Sequence, residues 1–184
     1  HRSVYDRLCK GFAERIEKLT VGPGLDDCDI GPLMNEAAVK KQVEHVEDAK
    51  AKGAKVVAGG MPHEAGPNFF QPTLLTDVPD DAEILSDETF GPVAAVLPFD
   101  DEADVLRRAN ATEYGLVAYL HTMDPRRLYK FSRGLQFGMV AVNRTKLTGP
   151  PIPFGGVKES GLGREGSRFG MEEFMDMKYV CRQW

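Results

Sequence analysis

Three thiols, Cys9, Cys28 and Cys181, are the only soft nucleophiles in this sequence of 184 residues. A catalytic thiol needs an electropositive setting that favours the thiolate. Cys28 lies among Asp26, Asp27 and Asp29, the opposite surroundings. Cys9 belongs to a helical run with no oxyanion constellation near it, and Cys181 falls in the last residues. His1, His45, His63 and His121 are far apart and share no ligand spacing, and Cys-x-x-Cys does not occur, so no metal site is expected. Gly161-Leu162-Gly163-Arg164-Glu165-Gly166 matches G-x-G-x-x-G, the phosphate cradle of dinucleotide folds. That cradle must follow a strand, open a helix and be answered by an acidic residue about 20 positions on. Gly155 to Ser160 do not read as a strand, and no such acidic residue follows. These glycines are read instead as shaping a tight loop where backbone approaches backbone.

Two further blocks gather charge, aromatic rings and turn residues. They are Asp87-Glu88-Thr89-Phe90-Gly91-Pro92-Val93 and Pro153-Phe154-Gly155-Gly156-Val157-Lys158-Glu159-Ser160-Gly161. The elements that must hold them can be read from periodicity. Val4 to Leu19 reads as an amphipathic helix with Leu8, Phe12, Ile16 and Leu19 on one face. Asn35 is a fitting N-cap for a second helix, with Val39, Val43 and Val46 inward and Gly53 at its end. Lys55 to Ala58 reads as a short strand, and residues 61–92 are turn-rich around one extended run, Pro72 to Leu75. Val93 to Phe99 is an apolar β-branched run suited to a buried parallel strand. Asp100 is the expected cap of the helix carrying Val105, Leu106 and Ala109. Val117 to His121 is the next strand, Asp124-Pro125 starts a helix, and Met139 to Asn143 is another strand.

Strand, helix, strand, helix, strand from Val93 to Asn143 predicts an α/β fold with a parallel sheet. Residues 144–167 read mostly as loop. A short helix around Ser167 to Phe174 follows, then Phe174 to Cys181, where Met175, Met177, Tyr179 and Cys181 alternate with polar neighbours as in a half-buried strand.

Composition bounds the function. Hydrophobic content of 42% and charged content of 28% are those of an ordinary globular chain. A net charge of −5 offers no basic face for nucleic acid. No apolar run approaches the ~20 residues of a membrane span. Three unevenly spaced cysteines fit a reducing compartment, so a cytoplasmic location is expected, with the mitochondrial matrix left open.

Taken in order, Gly31-Pro32-Leu33, Gly59-Gly60, Asn68 to Thr73, Asp87 to Pro92, Tyr114-Gly115-Leu116, Gly138 to Asn143 and Pro153 to Lys158 resemble the C-terminal part of the aldehyde dehydrogenase superfamily. Ser160 to Ser167 and Lys178 to Cys181 are most similar to the succinate-semialdehyde dehydrogenase branch. The resemblance implies a partial catalytic domain of that fold over 1–166 and a C-terminal helix and oligomerisation strand over 167–184. It implies that the Rossmann domain and the catalytic-Cys segment are absent. The family's Cys, in a Gly-Gln-x-Cys setting, its general-base Glu, oxyanion Asn and cofactor Lys all precede the first of these blocks, so no catalytic residue is expected among these 184.

The implied chemistry is NAD- or NADP-dependent oxidation of an aldehyde, passing through a Cys thiohemiacetal to the acid. The implied substrate is succinate semialdehyde or a similar short carboxy-aldehyde, and the implied assembly a homo-oligomer, dimer or tetramer. Glu88 matches the family's Glu that accepts the nicotinamide ribose hydroxyls, and Phe90 the aromatic beside the nicotinamide ring. Phe154 matches the aromatic at the mouth of the substrate tunnel. Thr148, six residues before it, stands where the branch places a Ser hydroxyl against the distal carboxylate. Arg144 and Lys146 are an unusual basic pair for this loop; they either favour an anionic substrate or face solvent. The remaining alternative is a catalytically silent chain that keeps only fold and assembly surface.

Overall fold

The computed structural model describes all residues from His1 to Trp184. Two compact units divide the chain, His1–Asp100 and Asp101–Trp184. The N-terminal unit begins with helix α1, Arg2–Ile16, capped by the His1 ring accepting from the Ser3 amide. Helix α2, Glu36–Ala51, has the expected cap: Asn35 Oδ1 accepts the Ala38 amide at 2.9 Å. Strands β1, Lys55–Ala58, β2, Thr73–Thr76, and β3, Val93–Val96, form one sheet in the order β1-β2-β3. β2 is central, antiparallel to β1 and parallel to β3.

All four residues of β2 are buried, and with Phe70, Val46 and Ala49 they make the core. Full burial of each Leu or Phe side chain contributes about 1.5–3 kcal/mol. α1 departs from the expected face. Cys9 and Ile16 are its buried residues, while Leu8, Phe12 and Leu19 are exposed. Tyr5 explains the rotation: its hydroxyl accepts the Asp77 amide at 2.9 Å and donates to the Val96 carbonyl at 3.2 Å, fixing which side of α1 meets β2 and β3.

The C-terminal unit contains helix α3, Glu102–Asn110, strand β4, Tyr114–Gly115, strand β5, Val117–Leu120, helix α4, Pro125–Gly134, strand β6, Met139–Val142, strand β7, Val157–Lys158, and helix α5, Phe169–Glu172. β5 and β6 pair in parallel, and β4 and β7 antiparallel. Asp124 caps α4 with Pro125 in its first turn, as its sequence predicts. The cap of α3 is Asp101, not Asp100; Asp101 Oδ1 accepts the Ala103 and Asp104 amides at 2.8 Å each. Asp100 is instead engaged by the Arg2 guanidinium at 2.9 Å. Glu102 joins α3 to α4 by accepting from Arg127 at 2.6 Å and Lys130 at 2.9 Å. Gly138 faces the backbone of Gly155 and Gly156 so closely that a Cβ there would overlap the Gly155 carbonyl.

The fold is therefore α/β, as expected, with β5–β6 parallel, but the three-stranded sheet is mixed and β4–β7 is antiparallel. β3 finds its parallel partner in β2, in the Pro-rich stretch, and 144–167 holds β7. Residues 175–184 carry no strand within this chain. A strand exists only with a partner edge, and the chain offers this segment none. No helix is long and apolar enough to cross a membrane.

Candidate functional site

The Asp87–Pro92 block is a loop of the N-terminal unit running from a 3-10 turn, Glu83–Leu85, into β3. α2 holds it through three consecutive-face residues. Lys41 Nζ donates to Asp87 at 2.9 Å. Gln42 Nε2 donates to the Thr89 carbonyl at 2.7 Å and to the Ala38 carbonyl at 3.3 Å. His45 reaches the Thr89 hydroxyl with Nδ1 at 2.9 Å and the Asp87 carboxylate with Nε2 at 3.3 Å. A carboxylate only accepts, so Nε2 carries a hydrogen; in the neutral ring Nδ1 then accepts from the Thr89 hydroxyl. The Lys41 ammonium, first, and His45 hold the Asp87 carboxyl below the usual carboxylate range, against some desolvation. Gln42 and His45 are 0% and 2% exposed. The Pro92 carbonyl accepts the Thr73 amide at 2.8 Å, so the loop's far end is fixed by β2.

Between these anchors Glu88 and Phe90 point away from the core. Glu88 is exposed, and no protein group bonds its carboxylate. Phe90 is 83% exposed and sits at φ 46°, a left-handed conformation uncommon outside glycine. The loop, tied at both ends, thus presents an open carboxylate two residues from an uncovered ring. Vicinal hydroxyls would donate to the carboxylate oxygens, and the ring offers an apolar face.

Thr148 and Phe154 lie in the C-terminal unit. Thr148 is exposed on the loop that leaves β6. Asn143 opens that loop at φ 52°, its amide accepting the Thr122 N–H at 2.9 Å and donating to the Thr122 carbonyl at 2.7 Å. Phe154 is half-buried and exchanges two backbone bonds of 2.8 Å with Glu165. A cavity of ≈ 690 Å³ opens beside it, with Leu116, Ser160, Leu162, Met171 and Phe174 among its walls. Arg144 and Lys146 are exposed; Arg144 also edges a smaller cavity of ≈ 280 Å³ between β6 and Ile152. The structure thus places Glu88 with Phe90 on one loop, and Thr148 and Phe154 at opposite ends of another stretch.

The G-x-G-x-x-G run shapes backbone. Gly161, Gly163 and Gly166 all have positive φ, and the loop is closed by Arg164, which donates to the carbonyls of Gly156 at 2.8 Å and Gly163 at 2.6 Å. The three thiols lie in separate settings. Cys9 is buried in α1 and desolvation raises its pKa. Cys28 approaches the Asp26 carbonyl at 3.8 Å. Cys181 is in the exposed tail. The anchors Lys41, Gln42 and His45 are what sequence reasoning missed; the signal was two polar residues on the Val39–Val46 face of α2.

This chain belongs to the aldehyde dehydrogenase family, whose profile matches residues 1–180. It is 50% identical over 182 residues to the non-phosphorylating aspartate-semialdehyde dehydrogenase of Halomonas elongata, covering 98% of this chain and 37% of that protein. It is 49% identical over 179 residues to the NADP(+) succinate-semialdehyde dehydrogenase GabD of Escherichia coli K12, covering 97% and 37% respectively. Among solved structures, the succinate-semialdehyde dehydrogenase of Burkholderia pseudomallei superposes with a TM-score of 0.94 at 45% identity, covering 97% of this chain and 37% of the other. The chain spans little more than a third of the length of these relatives.

Proposed function

We propose that this chain is the C-terminal part of an NAD(P)-dependent aldehyde dehydrogenase acting on succinate semialdehyde or a similar short carboxy-aldehyde. The observation that carries the reading is the Asp87–Pro92 loop: an unpartnered carboxylate and an uncovered ring held out by buried anchors, in a chain of this family. Glu88 accepts the two ribose hydroxyls of the nicotinamide half, and Phe90 backs its ring. The bound nicotinamide supplies the hydride acceptor. Phe154 forms an apolar wall of the substrate passage, and the Thr148 hydroxyl donates to the distal carboxylate. The thiol that forms the thiohemiacetal comes from outside these 184 residues. Residues 1–166 act as a partial catalytic domain, and 167–184 form a helix and a strand that pairs with a second copy, giving a dimer or tetramer.

A second reading, a silent chain retaining fold and assembly surface, is favoured by the setting of Cys9, Cys28 and Cys181. One experiment separates the two. Residues 1–180 replace the matching portion of the Escherichia coli relative, and the hybrid is assayed for reduction of NADP by succinate semialdehyde. The proposal expects turnover from the hybrid and none from the isolated chain. A soluble, assembled hybrid that fails to reduce NADP in a single turnover would decide for the silent reading.

A further inference from the structure

Gln42 is the least expected residue of the core. It is fully buried on α2, between Val39 and Val46, and its amide is oriented without ambiguity because both atoms near Nε2 are carbonyl oxygens, those of Thr89 and Ala38. Its Oε1 is buried and accepts no hydrogen bond from the protein. A buried polar group kept at that cost has a local task. The task is visible one residue further along the loop. Gly91 lies against the Gln42 amide so tightly that a Cβ at 91 would overlap Oε1. Phe90, between the bonded Thr89 carbonyl and this contact, sits at φ 46°. A non-glycine residue persists there only when its surroundings over-determine it. His45 adds the second constraint by holding the Thr89 side chain and Asp87.

We infer that Gln42, assisted by His45, is a positioning residue: it locks the Thr89–Gly91 backbone so that Phe90 and Glu88 project outward toward the nicotinamide riboside. The inference rests on the reading of Glu88 and Phe90 as cofactor contacts. Gln42 itself touches no ligand. Relaxing its bond to Thr89 lets the backbone at 90 return to an ordinary conformation, which turns the ring and the neighbouring carboxylate together. Misplacement of reacting groups by about 1 Å lowers rates about a hundredfold.

The test uses the complete enzyme carrying this segment, with 4-fluorophenylalanine at position 90. Gln42→Met keeps the volume and removes the donor. Three quantities are read: the fluorine resonance of the cofactor-free protein, the single-turnover rate of nicotinamide reduction, and the affinity for adenosine diphosphate, which lacks the nicotinamide half. The expected result is a shifted or split resonance and a rate lower by about ten- to a hundredfold, with unchanged adenosine diphosphate affinity. Combined with Glu88→Gln, the loss should be less than the product of the two single losses. An unmoved resonance overturns the positioning role. A moved resonance with unchanged hydride transfer overturns instead the assignment of Glu88 and Phe90. Parallel loss of adenosine diphosphate affinity marks general damage and also overturns the inference. Thr89→Val, at the loop rather than in the core, repeats the comparison by removing the partner of His45, should Gln42→Met fail to fold.

Discussion

Replacing Glu88 by Gln tests the cofactor reading with little collateral change. No protein group bonds the Glu88 carboxylate, so the amide orphans nothing inside the fold. The loop is held through Asp87, Thr89 and Pro92, all of which remain. The effect therefore falls on the ligand alone. A hydrogen bond to a charged group is worth about 1.5–3 kcal/mol and a neutral one about 0.5–1.5. The carboxylate accepts from two hydroxyls; the amide keeps one neutral acceptor and turns a donor toward the other hydroxyl. Each hydroxyl loses the difference, about 1–1.5 kcal/mol, so the net loss is about 2–3 kcal/mol, or roughly one and a half to two decades in rate at about 1.4 kcal/mol per tenfold. Rapid mixing of the complete enzyme with aldehyde and cofactor, reading the first turnover of reduced nicotinamide, isolates this step from product release. Adenosine diphosphate should bind as before. A first turnover at the native rate would refute the role of Glu88 and with it the geometric argument from the loop.

Thr148→Val keeps the side-chain shape and removes the donor, so KM should rise far more for succinate semialdehyde than for an uncharged aldehyde of similar length, by the ~1.5–3 kcal/mol of one charge-assisted bond; equal changes for both substrates would exclude a carboxylate contact. The Asp87 carboxyl, depressed chiefly by Lys41, contributes stability that is present above its unperturbed pKa of 3.8 and is lost as pH falls through the lower folded value. Lys41→Met should bring its midpoint up toward 3.8, followed by carboxyl-carbon NMR, and an unshifted midpoint would remove Lys41 from the anchor. Removing residues 175–184, which expose Met177, Tyr179 and Trp184, should yield monomer or insoluble protein; a truncated enzyme eluting as the native oligomer with full activity would show that the tail is dispensable.

Elements whose signals are local were legible. Asn35 and Asp124-Pro125 announce α2 and α4 because a cap depends on residues two or three positions away. Elements decided by distant partners were not. Asp100 and Asp101 are equivalent in sequence, and the choice between them follows from Arg2, ninety-eight positions earlier, taking the first. The parallel partner of β3 is β2, hidden among prolines, because pairing is chosen by register across the sheet and not by the apolar run itself. The tail's alternation specifies a strand face without specifying an edge, so in a single chain it has nothing to pair with.

The site divides in the same way. Glu88, Phe90, Thr148 and Phe154 are assigned to the proposed site only through resemblance to a family, since single exposed or half-buried side chains have no periodic signature. The supports of the loop that carries Glu88 and Phe90 were present in the sequence as contradictions of its pattern. On the face of α2 that buries Val39 and Val46, Gln42 and His45 break an otherwise apolar stripe at i+3 and i+6 from Val39. Burying such groups is unfavourable unless they are bonded. The bonds they make lead to Thr89 and Asp87, the residues that flank Glu88 and Phe90. A polar residue on an apolar helical stripe thus marks where a loop is being held, and the exposed side chains of that loop are the ones whose direction the fold has fixed.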